Sequence, residues 1–402
     1  MSEFLNQECK VLLQIISKDL FGFNSIINLS SVELSKLYKE AKDQTVIAMA
    51  FNSLPESASR LDAQTYLMWQ GTAFSLMRQA LNNNLANATL TKLFDDNGIE
   101  HSTIKGYTSA SFYKNPTHRQ MGDIDFLIRE EDVEKATELL VANGYERFED
   151  DHDLHIGFKK NGLIYELHTA VTSVPEGKEY ILDSLNDVIE KAVYVNSSCG
   201  RIKVPSALHH GIIMLMHMQR HIIISSGIGI RHLADWAVFV NHFENDEWVG
   251  IFEKPLKKIG LWKFAKVISK AAEIYLKLPP KPWFSDEDAS LANSLAKEIF
   301  TSGNFGVKNE TNAQEQVFYK HSEQGKGKLS RIFGGITRKV YSWAPFYKRN
   351  KFLLPIGYVA YCLRIAFQMI FENKKLNFFK IVKKGNEQYE TYSKLKFFEE
   401  EI

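Results

Sequence analysis

The sequence predicts an α+β protein in which a small mixed sheet sits between N- and C-terminal helical regions. Three observations carry this expectation. Apolar residues recur at helical spacing up to about residue 90, short apolar runs bounded by turn residues follow Asn97-Gly98, and helical periodicity returns after Ser206. The expected divisions are a helical region over 1–90, a sheet domain over 91–198, a helical domain over 199–310 that covers the site, and a basic, aromatic-rich helical tail over 311–402.

In the first region Val11, Leu12, Ile15 and Ile16, and then Val46, Ile47, Met49, Ala50 and Leu54, mark helix faces. Ser30 and Glu33 stand three apart, as in a capping box, so a helix is expected to start there. Leu61 to Asn97 has few breakers and reads as one long helix, or two joined near Asn82 to Asn84. Then come a strand over Ile99 to Ile104, a Lys105-Gly106 turn, a short helical piece from Tyr107 to Tyr113, and the breaker Pro116. Gly122 to Ile128 reads as a strand that opens on carboxylates and ends apolar. A helix follows from Glu130 to Asn143, stopped by Gly144. Leu154 to Lys159 and Leu163 to His168 flank Asn161-Gly162, a dipeptide that tolerates positive φ and so favours a tight hairpin. Helices over Ala207 to Ile223 and Ile230 to Phe243, and others to about Ser302, complete the body.

The chain has 402 residues, enough for two to three domains. With 45% hydrophobic and 24% charged residues, disorder, collagen-like repetition and a polytopic membrane protein are all disfavoured. The net charge of +1 gives no global argument for a nucleic-acid partner. Cys9, Cys199 and Cys362 lie far apart, so neither a disulfide framework nor a thiolate zinc site is indicated. The opening MSEFLNQECK has no basic patch followed by an apolar core, and a cytoplasmic location is expected.

The chemistry is expected at Asp123, Asp125 and Glu166. Side chains alternate along a strand, so Asp123 and Asp125 share a face at roughly 6 to 7 Å Cα spacing, while Ile124, Phe126 and Ile128 face a core. Ile164, Glu166 and His168 share a face of the later strand, which offers a third carboxylate. Three crowded anions repel, and a divalent cation relieves them; oxygen ligands point to Mg²⁺ or Mn²⁺. Such an ion, with substrate phosphates, suits nucleotidyl transfer. Lys105 and Arg119 would contact a triphosphate, and Gly106 would let backbone approach it. Asp-x-Asp alone is weak evidence: Asp151-His152-Asp153 is a second match that reads as loop. The Lys105-Gly106 turn 17 residues before Asp123 and the later Glu166 distinguish the first match.

Gly106 with its short helix, Gly122-Asp123-Ile124-Asp125-Phe126-Leu127-Ile128 and Tyr165-Glu166-Leu167-His168 resemble the signature of the DNA polymerase beta-like nucleotidyltransferase superfamily. Ile104-Lys105-Gly106, Arg119 to Asp125, Glu166-Leu167-His168 and His217 to Asp235 more narrowly resemble a bacterial family of largely uncharacterised nucleotidyltransferase-like proteins. The likeness spans residues 60 to 245. It implies a nucleotidyltransferase fold, Mg²⁺, and catalytic, metal-holding carboxylates at Asp123, Asp125 and Glu166. Where the superfamily more often has Gly-Ser or Gly-Gly, this chain has Lys105-Gly106-Tyr107.

Five of the twelve histidines, His209, His210, His217, His221 and His232, fall within 24 residues. His210, His217 and His221 share a helix stripe and offer a ligand set, yet no glutamate completes an HExxH motif. The resemblance places this helix beside the active site, with His217 and His221 lining the cleft. His168 would touch nucleotide or hydrogen-bond a neighbouring acid. Ser225 to Ile230, with Gly227 and Gly229, reads as a turn. Arg231 and Asp235 are four apart on a helix and form either an ion pair or a base or phosphate contact. Gly122 completes the residues expected at the nucleotide.

Residues 320–402 hold 17 Lys plus Arg against 7 Asp plus Glu. Phe352 to Phe371 is long enough to span a bilayer, but Pro355, Gly357, Arg364 and Gln368 interrupt it, so a spanning helix is not expected. The segment 331–384 is expected either to lie on anionic lipid, peripheral at the inner face of the membrane, or to pack on the catalytic region. No recognised motif calls for specific nucleic-acid binding. The expected reaction moves a nucleoside monophosphate from an NTP to a hydroxyl acceptor and releases pyrophosphate. The rival expectation is a catalytically inactive scaffold that binds nucleotide or a partner.

Overall fold

In the computed structural model the described residues are 4–23, 26–148, 155–172, 174, 177–223, 227–308, 328–371 and 378–400. The Asp151-His152-Asp153 match, Ser225 and Lys374-Lys375 lie outside them. Helix α1 (Gln7–Phe21) starts where the Asn6 side chain accepts the Cys9 N–H and ends at Gly22, φ +66°. Helices α2 (Leu34–Asp43) and α3 (Ile47–Asn52) follow. The expected capping box does not form. Glu33 itself is the N-cap residue, with extended backbone, and its carboxylate pairs with Lys36 at 2.7 Å, while the Ser30 hydroxyl donates to Asn28. Helix α4 (Ala63–Asp96) is a single 34-residue helix, capped by the Asp62 carboxylate accepting from the Thr65 N–H.

The sheet begins with β1 (His101–Ile104), followed by the short α5 (Gly106–Ala110), β2 (Ile124–Ile128) and α6 (Val133–Ala142). Strands β3 (Glu146–Phe148), β4 (His155–Lys160) and β5 (Leu163–His168) complete it in the order β1-β2-β5-β4-β3. Asn161 (φ +53°) and Gly162 (φ +77°) make the tight turn between β4 and β5. The β2/β5 pair is parallel and the other pairs antiparallel, so the sheet is mixed. Ile124, Phe126, Ile128, Tyr165 and Leu167 pack one face onto Leu90 and Phe94 of α4 and Leu140 of α6. Ile104 and Leu127, on the opposite face, join the helical core.

Two elements lie beyond the expected strand list: the edge strand β3 and a separate hairpin of β6 (Val193–Ser197) and β7 (Gly200–Val204). All three strands are short, so no long apolar run announces them; Val193 and Tyr194 of β6 are exposed, while Ile202 and Val204 of β7 are buried. The division expected at 198/199 falls in the turn of this hairpin, and the one at 90/91 falls inside α4.

Above the site face lie α7 (Ala207–Ile223) and α8 (Ile230–Asn241), backed by α9 (Trp262–Leu276) and α10 (Ala289–Ser302). Gly211 lets α7 approach an aromatic cluster: a Cβ there would meet Phe252 at 2.8 Å and Phe239 at 3.1 Å. Gly211→Ala is therefore expected to cost about 1–3 kcal/mol by overpacking, read as a lower urea midpoint at unchanged m-value. The C-terminal part holds α11 (Lys328–Trp343), α12 (Leu354–Phe371) and α13 (Phe378–Leu395). Among the described residues no helix is long and apolar enough to cross a membrane.

Candidate active site

Asp125 and Glu166 are partners across the parallel β2/β5 pair, and Asp123 stands one residue before β2. All three line one cavity of about 310 Å³ between the sheet and helices α7 and α8. That volume lies at the lower end for small-molecule pockets. Lys105, Gly106, Arg119 and Gly122 share the sheet-side wall, and His210, His217, Arg231, His232 and Asp235 come from the helices. The buried Asn83 of α4 donates to the Gly122 carbonyl at 2.7 Å and so fixes the entry to β2.

Asp125 is the most tightly held acid. Its Oδ1 accepts from Lys105 Nζ at 2.6 Å and from His168 Nε2 at 3.0 Å. Burial works to raise its pKa, but the Lys105 ammonium and His168 outweigh it and hold the carboxyl well below the usual range. Lys105 reaches Asp125 from a backbone with φ +59° and ψ −125°, a conformation that favours glycine. The ion pair with Asp125 is thus made from a strained backbone position. A Cβ on Gly106 would stand 3.6 Å from the Asp123 carbonyl, an ordinary contact.

Asp123 is the opposite case. It forms no salt bridge among the described residues, and burial, then Glu166 and Asp125, push its pKa up. His168 Nε2 also lies 3.3 Å from Glu166 Oε2, and His155 Nε2 lies 3.7 Å from Glu166 Oε1. Burial lowers the His168 pKa, but its bonds to Asp125 and Glu166 prevail and raise it. His155, Glu166 and His168 present ligand atoms within 4.8 Å of one another. Among the described residues this is the one group of three such ligands at that spacing, and its nitrogen donors suit softer ions; Asp123 and Asp125 line the same cavity as Glu166 but do not join it in a group so close. The spacing of the sequence does not reveal His155; it enters because β4 pairs antiparallel with β5 and puts His155 opposite His168.

The two arginines divide the expected tasks differently. Arg119 is buried and gives Nε and Nη2 to Asp235 at 2.7 and 2.9 Å, while the Tyr113 hydroxyl donates to the same carboxylate at 2.7 Å. Asp235 is therefore taken by a residue 116 positions away, and of the two alternatives for Arg231 and Asp235 the ion pair between them is not formed. Arg231 lines the cavity with its Nε buried and bonded to nothing among the described residues. Burial, then the Arg119 cation, bring its pKa down to about 10, with Asp235, Tyr113 and Asp123 pulling the other way.

The histidines do not form one cluster. His209 bonds Asp187 at 2.9 Å, and His210 stacks on Phe112 with ring centroids 5.6 Å apart. His217, His221 and His232 form a triangle with centroids 4.4, 5.7 and 6.0 Å apart, in which His217 and His232 line the cavity. The ligand set of His210, His217 and His221 is not assembled, because His210 turns into the aromatic core.

Burial pushes the His210 pKa down to about 3 and that of His221 to about 4, and moves His217 and His232 the same way. Depressed histidines stabilise the fold above the unfolded value near 6.5 and lose that contribution as pH falls toward the folded values. Unfolding free energy is expected to drop by up to about 1.4 kcal/mol per pH unit for each such histidine below about pH 6.5. His210→Phe should flatten the decline, as urea titrations at about pH 7.5 and about pH 5.5 would show.

Among comparisons with known proteins, no curated protein matches the chain. It is similar to the crystal structure of an antigenic nucleotidyltransferase-like protein from Paracoccidioides brasiliensis. The identity is 15% over 50% of this chain and 95% of that one, with a TM-score of 0.33. The model of a family described as uncharacterised nucleotidyltransferase matches residues 30–276. That match takes in more than half of the chain, from α2 to the end of α9, and with it every residue of the cavity but one, so the chain belongs to the uncharacterised nucleotidyltransferase family.

Proposed function

We propose that the chain transfers a nucleoside monophosphate from an NTP to a hydroxyl acceptor, releasing pyrophosphate, with Mg²⁺ or Mn²⁺ held by Asp123, Asp125 and Glu166. One observation carries this reading: two acids on the same rung of a parallel strand pair face a cavity shared with a third acid, a lysine and two arginines. Family membership supports a general role in nucleotidyl transfer. The residues fit a cation, since Asp123 faces two further carboxylates with no cationic partner of its own among the described residues. When bound, the ion helps an acceptor hydroxyl to ionise and neutralises charge on the departing pyrophosphate.

The chain's own groups do the rest. Lys105 and Arg231 bind the triphosphate, while Arg119, engaged with Asp235, braces the wall behind them. Glu166 accepts the acceptor's proton, oriented by His168. His217 and His232, kept neutral by burial, contact base or sugar, and His221 holds their rings in place. The acceptor is a small molecule, a sugar, a lipid-linked intermediate or a protein side chain. The three cysteines are unbridged, which supports a reducing, cytoplasmic setting.

The test is pyrophosphate release from each of the four NTPs with Mg²⁺ or Mn²⁺ across a panel of acceptor classes. A second reading, a nucleotide-binding scaffold without turnover, is favoured by the Lys105 and His168 contacts that already neutralise Asp125. Nucleotide binding without pyrophosphate release across the panel would select it.

A further inference from the structure

Residues 328–371 contain eight Lys or Arg and no Asp or Glu. Within them α11 and α12 pack on each other. A Cβ on Gly357 would come within 2.9 Å of the buried Val340, the Thr337 and Tyr358 hydroxyls stand 2.6 Å apart, and Trp343 meets Tyr361 at 5.9 Å between ring centroids. Away from this seam, Phe352, Ile356, Val359, Leu363 and Phe367 are between 57% and 79% exposed. Spacings of three and four residues place Ile356, Val359, Leu363 and Phe367 on one stripe along α12, and Phe352 stands in the turn just before it. Such a stripe on a segment charged with one sign needs an explanation.

We propose that the α11–α12 hairpin lies on anionic phospholipid bilayers, with the α12 stripe in the acyl boundary and the surrounding Lys and Arg at the headgroups. This surface is independent of the active-site reading. Both halves of the pattern point to lipid. Nucleic acid would use the cations but leave Phe352, Ile356, Val359 and Leu363 exposed, and a second copy of the hairpin would bring like charges together. A bilayer with acidic headgroups takes up the apolar stripe and the cations at once. Trp343 and Tyr361 add ring systems of the kind that settle at the headgroup level, and the Arg364 guanidinium stands 5.3 Å over the Trp343 ring. Arg364 lies on α12 itself, in keeping with a helix that rests on the membrane and does not cross it.

The experiment is flotation of the full chain with phosphatidylcholine vesicles, with and without phosphatidylserine, at low and high salt. Binding should require phosphatidylserine and weaken as salt rises. Ile356→Asp combined with Leu363→Asp alters only exposed positions and should reduce partitioning about tenfold or more with an unchanged thermal midpoint. The control Lys92→Glu, on an exposed face of α4, should partition like the parent. Equal partitioning of the double variant and the parent would overturn the proposal. So would binding indifferent to phosphatidylserine, or light scattering that shows a dimer dissolved by the same substitutions without any vesicle binding.

Discussion

Asp123→Asn is expected to lower pyrophosphate release on the order of 10³-fold, comparable to removing one preorganised charge-stabilising group from an active site. The fold should not suffer. Asp123 is the acid whose pKa is raised, first by burial and then by Glu166 and Asp125, so its charge is a cost to the folded chain above the ordinary carboxylate range. Removing that charge should leave the cation-free thermal midpoint unchanged or slightly higher. The same substitution should abolish the rise in midpoint that Mn²⁺ gives the parent, a rise that reflects a stabilisation of about 2.7 kcal/mol at one hundred times the dissociation constant. A variant that keeps both turnover and the Mn²⁺ response would show that the ion is held elsewhere. Loss of the Mn²⁺ response in His155→Ala, with that response retained in Asp123→Asn, would move the ion to the nitrogen-containing set.

Arg119→Ala should be the most destabilising single change at the site, at about 3–5 kcal/mol, because it leaves the Asp235 carboxylate buried without its cation. Against a typical total of 5–15 kcal/mol this is a large share. Arg119 and Asp235 are both about 5% exposed, the pair is bidentate, and Tyr113 completes the carboxylate's shell. Replacing both charges together, Arg119→Met with Asp235→Leu, should recover much of the loss, since neither charge is then stranded. Urea unfolding followed by circular dichroism measures both. A cost below about 1 kcal/mol for Arg119→Ala would mean that the pair behaves as a solvated one.

Much of the five-stranded sheet was legible because local rules decide it. Alternation along β2 separates Asp125 from Phe126, and Asn161-Gly162 fixes the β4–β5 turn through two positive φ angles. Glu166 could be matched to the aspartates because the strand period alone puts it on the face away from Tyr165 and Leu167. Tertiary pairings were not legible. Arg231 stands one helical turn from Asp235, yet Arg119 reaches that carboxylate with better geometry from a different element. The histidine run looked like one site because five rings lie close in sequence, but helix packing sends them to three environments. His209 goes to Asp187, His210 stacks on Phe112 at the cavity wall, and the other three form a separate cluster that also reaches the cavity. The Ser30 box failed for a related reason: the helix began one residue after Glu33, so Glu33 stood at the cap and not inside the first turn.

Between β2 and β5, whose parallel pairing sets Asp125 beside Glu166, the chain places α6, β3 and β4. Chain-closure entropy grows only logarithmically, by roughly 0.6 kcal/mol for each doubling of length. A longer connection between β2 and β5 would therefore cost little and leave Asp125 and Glu166 neighbours.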